Sequence, residues 1–308
     1  MILQGGLGRV MGIVNRMPLV VVVVAVVIGV SARAALRPHV DAALPWLLAA
    51  LVATVGAATE LPHVGQGLET LVVGARGVLA AGIAMPGVAW ASSRLVSGPA
   101  RLGVLALGFA PAEIASTATV SVAGGDAIAA AIALGGSVLV TAAVVGPGLG
   151  LLSGRSISGM ALALSLGLQV LAPFGVGLVA GPLVRRRASR DALDGLAVVM
   201  VGALAALVAS ELAFGADLAI VVLSAALVVG GGYLIGAVAG IGLGRNGWLA
   251  VVLTCGMRDF AIAAAIANSA FGPAAIAPAA PFGVIVLVSG TAVAAVARRR
   301  QAHASPPT

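Results

Sequence analysis

Apolar residues run through this chain in stretches of twenty or more positions with neither the strict alternation of a half-buried strand nor a polar face at helical spacing. Segments 127–154 and 218–244 contain no charged residue at all, and about 20 such residues cross the hydrocarbon of a bilayer. The pattern predicts an all-α polytopic membrane protein. Polar and glycine-rich punctuation divides it into about ten spans: 17–34, 42–59, 74–95, 102–122, 126–151, 158–182, 193–213, 216–240, 247–270 and 276–297. A single transmembrane domain then fills 1–308, and a short polar tail, 301–308, is predicted to be disordered. An alternative reading of the N-terminus, a basic start and the run Met17 to Val30 before Ser31-Ala32-Arg33-Ala34-Ala35, is a cleavable signal. Against it stands the run's counterpart in 160–184, which removal would leave unpaired.

The ten spans fall into two halves, 17–151 and 158–297. Five spans per half is an odd number, so the second half enters the membrane from the opposite side, the inverted-repeat architecture of secondary transporters. Gly124-Gly125-Asp126-Ala127-Ile128-Ala129 and Gly272-Pro273-Ala274-Ala275-Ile276-Ala277 occupy matching places in the two halves.

Composition changes the picture at one point, the basic balance. The net charge is +7 and 9% of residues are charged, with a mean hydropathy of +1.17. All 17 basic residues are arginine, which excludes a lysine phosphate-binding loop and a Schiff-base lysine. The arginines gather at span ends, notably 185–190 and Arg298 to Arg300, which reads as membrane topology rather than nucleic-acid binding. Their distribution predicts cytoplasmic termini and a multi-pass protein of the plasma (cell inner) membrane. Cys255 is alone and reads as a small packing residue, and the sequence suggests no metal site or cofactor. The patterns Gly146-Pro147-Gly148-Leu149-Gly150, Gly230-Gly231-Gly232 and Gly175 to Gly181 read as close helix packing, not nucleotide binding. Gln169 and Tyr233 read as interhelical hydrogen-bonding residues that could also line a cavity.

Charge inside a span is the exception that chemistry must explain. Ala110-Pro111-Ala112-Glu113 lies in the fourth span and Gly256-Met257-Arg258-Asp259 in the ninth. One such charge at mid-bilayer costs about 3 kcal/mol on an insertion scale. Pro111 and the glycines Gly108 and Gly256 predict discontinuous helices whose ends face protein or water. Ser116, Thr117 and Thr119 on one span and Thr254, Arg258 and Asp259 on the other supply polar atoms for a cavity between them. Arg258 would anchor an organic anion, and Glu113 or Asp259 would carry the coupling step. Two plainer alternatives stay open: a buried Glu113–Arg258 ion pair that fastens two crossing helices, and Asp259 as a helix cap.

These residues resemble the bile acid:sodium symporter family. Met85-Pro86-Gly87-Val88-Ala89-Trp90 is similar to its third-span pattern, and Pro111-Ala112-Glu113-Ile114-Ala115-Ser116-Thr117 to its Pro-Gly-Gly-Thr-Ala-Ser-Asn stretch. Gly256-Met257 followed by Ala261-Ile262-Ala263-Ala264 resembles the ninth-span motif, and 282–290 the last span. The resemblance implies ten spans in two inverted five-helix repeats, crossing discontinuous helices four and nine, and symport of an organic anion: bile-acid-like, sulfate-conjugated or a small carboxylate. The family's sodium-binding acid and amide fall on Thr254 and Arg258, its third-span glutamine on Ala81, and its fifth-span hydroxyls on Leu134 and Val138. This chain therefore lacks most of the usual sodium ligands, and Ser116, Thr117, Glu113 and Asp259 are left to bind Na+ or H+. A proton-coupled or uncoupled carrier remains an alternative, as does a channel or sensor of the same fold, and homo-oligomerisation is left open. An enzyme is not expected, since His39, His63 and His303 fall in predicted loops or the tail.

Overall fold

A computed structural model describes residue 11 and residues 17–58, 67–154, 157–186, 188–212 and 217–304. Helices account for nearly all of these, and no strand occurs among the described residues beyond one isolated bridge. The elements are α1 (Pro18–Ser31), α2 (Val40–Ala58), α3 (Leu68–Ser93), α4 (Gly98–Leu107), α5 (Ala115–Val122), α6 (Ala127–Ser153), α7 (Gly159–Leu166), α8 (Ala172–Arg185), α9 (Arg190–Ser210), α10 (Leu218–Ala239), α11 (Arg245–Gly256), α12 (Phe260–Phe271) and α13 (Ala279–Ala304). Their starts follow local chemistry. Asp126 Oδ1 accepts from the amides of Ile128 and Ala129 to begin α6, Ser158 caps α7 and Ser189 caps α9. Gly154, at φ 67°, ends α6 in the left-handed conformation that favours glycine.

Among the described residues, seven helical stretches are long and apolar enough to cross a membrane: Arg33–Ala58, Leu68–Ser93, Ala127–Ser153, Gly159–Arg185, Ala192–Ser210, Leu218–Ala239 and Pro273–Arg300. Large apolar side chains such as Trp46, Ile83, Leu151 and Val179 point outward on them, as lipid contact requires. The chain is a multi-pass helical membrane protein, as its hydrophobic pattern predicts. The fourth and ninth predicted spans are each two helices. α4 and α5 have 10 and 8 residues, and α11 and α12 have 12 each. At 1.5 Å per residue these reach about 12–18 Å, well short of a bilayer's roughly 30 Å.

Packing sorts the helices into two groups. In the first, α2 packs on α8 and α9, and α1 packs on α9. The second surrounds α11 and α12, in which every residue from Leu249 to Gly256 and from Phe260 to Ala267 is buried. It comprises α3, α4, α5, α6, α10 and α13 around that pair, with α7 against α6. Apart from the continuous helix Gly159–Arg185, whose α7 end lies on α6 and whose α8 end lies on α2, contacts between the groups are sparse and run mainly through α12 and α13. The apolar run at 17–30 forms α1 and is held in the first group.

Three expectations need correction. The last helix continues through Ala304, so 301–304 of the predicted tail are helical, and 305–308 lie outside the described residues. Gln169 bonds within its own helix, to Ser165 Oγ at 2.8 Å, because Gly167–Leu171 forms a π-turn that joins α7 to α8. His39 closes a 3-10 turn rather than lying in open loop. His63 lies outside the described residues. Tyr233 does make the expected interhelical bond, its hydroxyl 3.1 Å from Ser289 Oγ. Cys255 is a packing residue, its thiol 3.6 Å from the Gly77 carbonyl.

Two glycine sites show why the small residues are there. Gly56 of α2 and Gly177 of α8 lie so close to the opposite backbone that an added Cβ would collide with it. Gly175, two residues away and so on the opposite face of α8, faces open space. Gly177→Leu is expected to destabilise the protein by about 3 kcal/mol or more through overpacking. Gly175→Ala is expected to leave the unfolding temperature within a degree or so of wild type. Thermal unfolding of the two purified variants in detergent checks the contrast, and equal effects would contradict the close contact.

Candidate functional site

The two helix breaks meet. Pro111 lacks an N–H and disfavours helical geometry at Ala110, so α4 ends and the chain runs extended to Glu113. In the other break α11 stops at Gly256, where a Cβ would strike the Tyr233 ring, and Met257 turns extended (φ −95°, ψ 103°). The extended pieces pair antiparallel, Ala112 opposite Arg258. Glu113 N–H donates to Met257 O at 2.8 Å, and Asp259 N–H donates to Pro111 O at 2.9 Å.

Side chains from α6 complete the backbone pairing. Ala112 N–H donates to Ser137 Oγ at 2.9 Å, and Thr141 Oγ1 donates to Phe109 O at 2.9 Å. Neither hydroxyl was among the candidates read from the sequence, where α6 offered only Leu134 and Val138 at the expected places. The signal was present as two hydroxyls four residues apart in a charge-free span, which puts both on one helix face.

The charges follow the helix ends. Asp259 caps α12, its Oδ1 accepting from the amides of Ala261 and Ile262 at 2.9 Å each. The Glu113 carboxyl faces backbone amides of Ile114 and Ala115, at the start of α5, and of Phe260, at the start of α12. Two helix N-termini, each with partial positive charge, thus converge on two carboxyls, which lie close enough to repel each other. Arg258 sits just beyond the C-terminus of α11, where a cation is favoured.

A pleated strand alternates its side chains, and this decides which charges can touch. Arg258 and Ala112 share one face of the bridge, and Glu113 and Met257 take the other, with Met257 against Gly290 of α13. Glu113 and Arg258 form no ion pair, although both are buried, at 3% and 2% exposure. The fastening ion pair is therefore replaced by backbone hydrogen bonds. Arg258 instead lines a crevice with Val78, Gly82 and Pro86 of α3, Gly108 and Phe109, and Ser137, Val140, Thr141 and Val144 of α6.

The remaining candidates divide. Ser116 is buried beside the carboxyl face, its N–H bonded to Glu113 O and its Oγ without a partner. One oxygen of each carboxyl, Glu113 Oε2 and Asp259 Oδ2, is likewise unpartnered. Among the candidate residues these three oxygens are free to hold a proton or a monovalent cation; no cluster of three His, Cys, Asp or Glu side chains occurs among the described residues. Thr117 bonds the Ile114 carbonyl of its own turn at 3.2 Å. Thr254 donates to Ala250 O at 2.8 Å within α11 and lies against Gly77, outside the crevice.

Neither known protein families nor curated proteins provide a match to this chain.

The cap makes a separable prediction. Asp259→Ala, which strips two buried amides of their acceptor, is expected to cost about 1–2 kcal/mol of stability. Asp259→Asn, whose amide oxygen accepts the same bonds, is expected to recover most of that. Ser137→Ala, leaving the Ala112 amide unpaired, is expected to cost about 1–3 kcal/mol. Chemical unfolding in mixed micelles measures all three; a fully stable Asp259→Ala would remove the cap from the account of the break.

Proposed function

We propose that the chain is a secondary active transporter that moves an organic anion across the plasma (cell inner) membrane by alternating access. In this reading ten spans form two inverted halves, 17–151 and 158–297, with α4–α5 and α11–α12 as discontinuous, crossing fourth and ninth spans. The observation that carries it is the pairing of two helix breaks that together hold three buried ionisable side chains. Structural proteins do not need such a site, and its cost in a bilayer favours a functional role.

Two further features support it. The packing repeats under exchange of the halves: α2 on α8 corresponds to α1 on α9, α3 on α6 to α10 on α13, and α5 on α6 to α12 on α13. That is the relation an inverted repeat produces. The thin contact between the two helix groups supports movement of one against the other, with the paired breaks carried by the larger group. The resemblance to the bile acid:sodium symporter family points the same way.

Arg258 is the anchor for the substrate anion, a fixed charge with fork geometry. Glu113 and Asp259, with Ser116, take the coupling cation, Na+ or H+. Thr117 and Thr254 bond carbonyls of their own helical turns. The inside excess of arginine supports cytoplasmic termini.

Uptake into proteoliposomes tests the reading with a bile acid, a steroid sulfate and a short keto acid, under imposed sodium or proton gradients. Saturable, gradient-driven uptake of one of them is expected, with Arg258→Ala lowering the initial rate by about tenfold or more. Glu113→Gln is expected to weaken the gradient dependence. Full transport by Arg258→Ala would contradict the anchor, and flux that neither saturates nor follows a gradient would indicate a channel.

A further inference from the structure

Arg258 presents a problem that the hydrogen bonds around the breaks leave unsolved. Its side chain is 2% exposed, and Nε and Nη1 have no hydrogen-bond partner. No carboxylate lines its crevice. The walls are apolar, Val78, Pro86, Val140 and Val144, apart from the hydroxyls of Ser137 and Thr141. Both hydroxyl protons are already donated, to Leu134 O and Phe109 O. A buried guanidinium with idle donors and no counter-charge is strongly unfavourable, whereas a bound anion would satisfy the donors and the charge together.

The shape limits which anion. The crevice has a volume of about 10 Å³, roughly the space of one water-sized sphere. A sphere of that size and a one-carbon carboxylate differ by little enough for the partly exposed Val140 and Val144 to yield; a ring system does not fit. All of the walls belong to the larger helix group, with none from α1, α2, α8 or α9. An anion held there stays with that group rather than lying between the two.

We infer that the Arg258 crevice binds a compact monovalent anion, of halide or one-carbon carboxylate size, in the conformation described here. This rests on reading Arg258 as the anion-binding residue of the proposed transporter, and narrows what that residue takes. A larger substrate would reach Arg258 only in a conformation with a wider crevice.

The test is thermal unfolding of the full chain in nanodiscs, in gluconate buffer at constant ionic strength, titrated with chloride, formate or benzoate. Chloride, formate or both are expected to raise the unfolding temperature saturably by about 2–4 °C. Benzoate is expected to have no effect. A response to formate alone assigns a carboxylate, and a response to chloride a halide. Val140→Phe, which fills the crevice without touching the charge, and Arg258→Gln should each abolish the response. If benzoate stabilises and the small anions do not, the size assignment fails while the transport reading stands. If no anion stabilises the wild type, anion binding at Arg258 itself is overturned, and the uptake assay separately decides whether the chain transports. The wild-type series is decisive even if a variant does not fold.

Discussion

An unpaired backbone group has no partner in hydrocarbon and costs several kcal/mol there, and two helices in this protein are interrupted. What makes the interruptions tolerable is that each supplies the bonds the other lacks. Glu113 and Asp259 donate their amides across the bridge to Met257 and Pro111, while Ser137 and Thr141 reach from α6 to serve Ala112 and Phe109. Gly256 lets the Tyr233 ring close over the second break, and Tyr233 is tied in turn to Ser289 of α13. The larger helix group is built around this joint, so its burial follows from the need to keep the breaks dry and paired.

The same joint sorts the charges. Helix N-termini gather the two carboxyls on one side, and the pleat turns Arg258 to the other. A single charged cluster would neutralise itself. Separated faces instead leave an idle cation in an apolar crevice and a pair of carboxyls with open oxygens, joined by a few backbone bonds. Movement of the joint necessarily moves both, and in the proposed transporter that would couple one ligand to the other.

Much of the architecture was legible in the amino-acid order. The apolar runs mark the long helices, and Pro111, Gly256 and the misplaced charges mark both breaks. Asp259 was read as a possible cap because aspartate is a good one. The separation of Arg258 from Glu113 was not legible, because which face a side chain takes depends on the register between segments nearly 150 residues apart. Ser137 and Thr141 were missed for a related reason: a hydroxyl in a membrane helix usually bonds its own preceding turn, as Thr254 does, and only the position of the break gives these two another acceptor or donor. The π-turn at Gly167–Leu171 leaves no compositional mark, so from sequence Gln169 reads as an interhelical hydrogen-bonding residue, whereas its bond runs along its own helix.

Whether the opposite charges are truly separate is decided most directly by a double-mutant cycle on stability, using Glu113→Gln, Arg258→Gln and the combination. Side chains on opposite faces predict effects that add to within about 1 kcal/mol. A coupling of about 3 kcal/mol or more would mean that the two form a buried ion pair, and would contradict the division of the joint into an anion face and a carboxyl face.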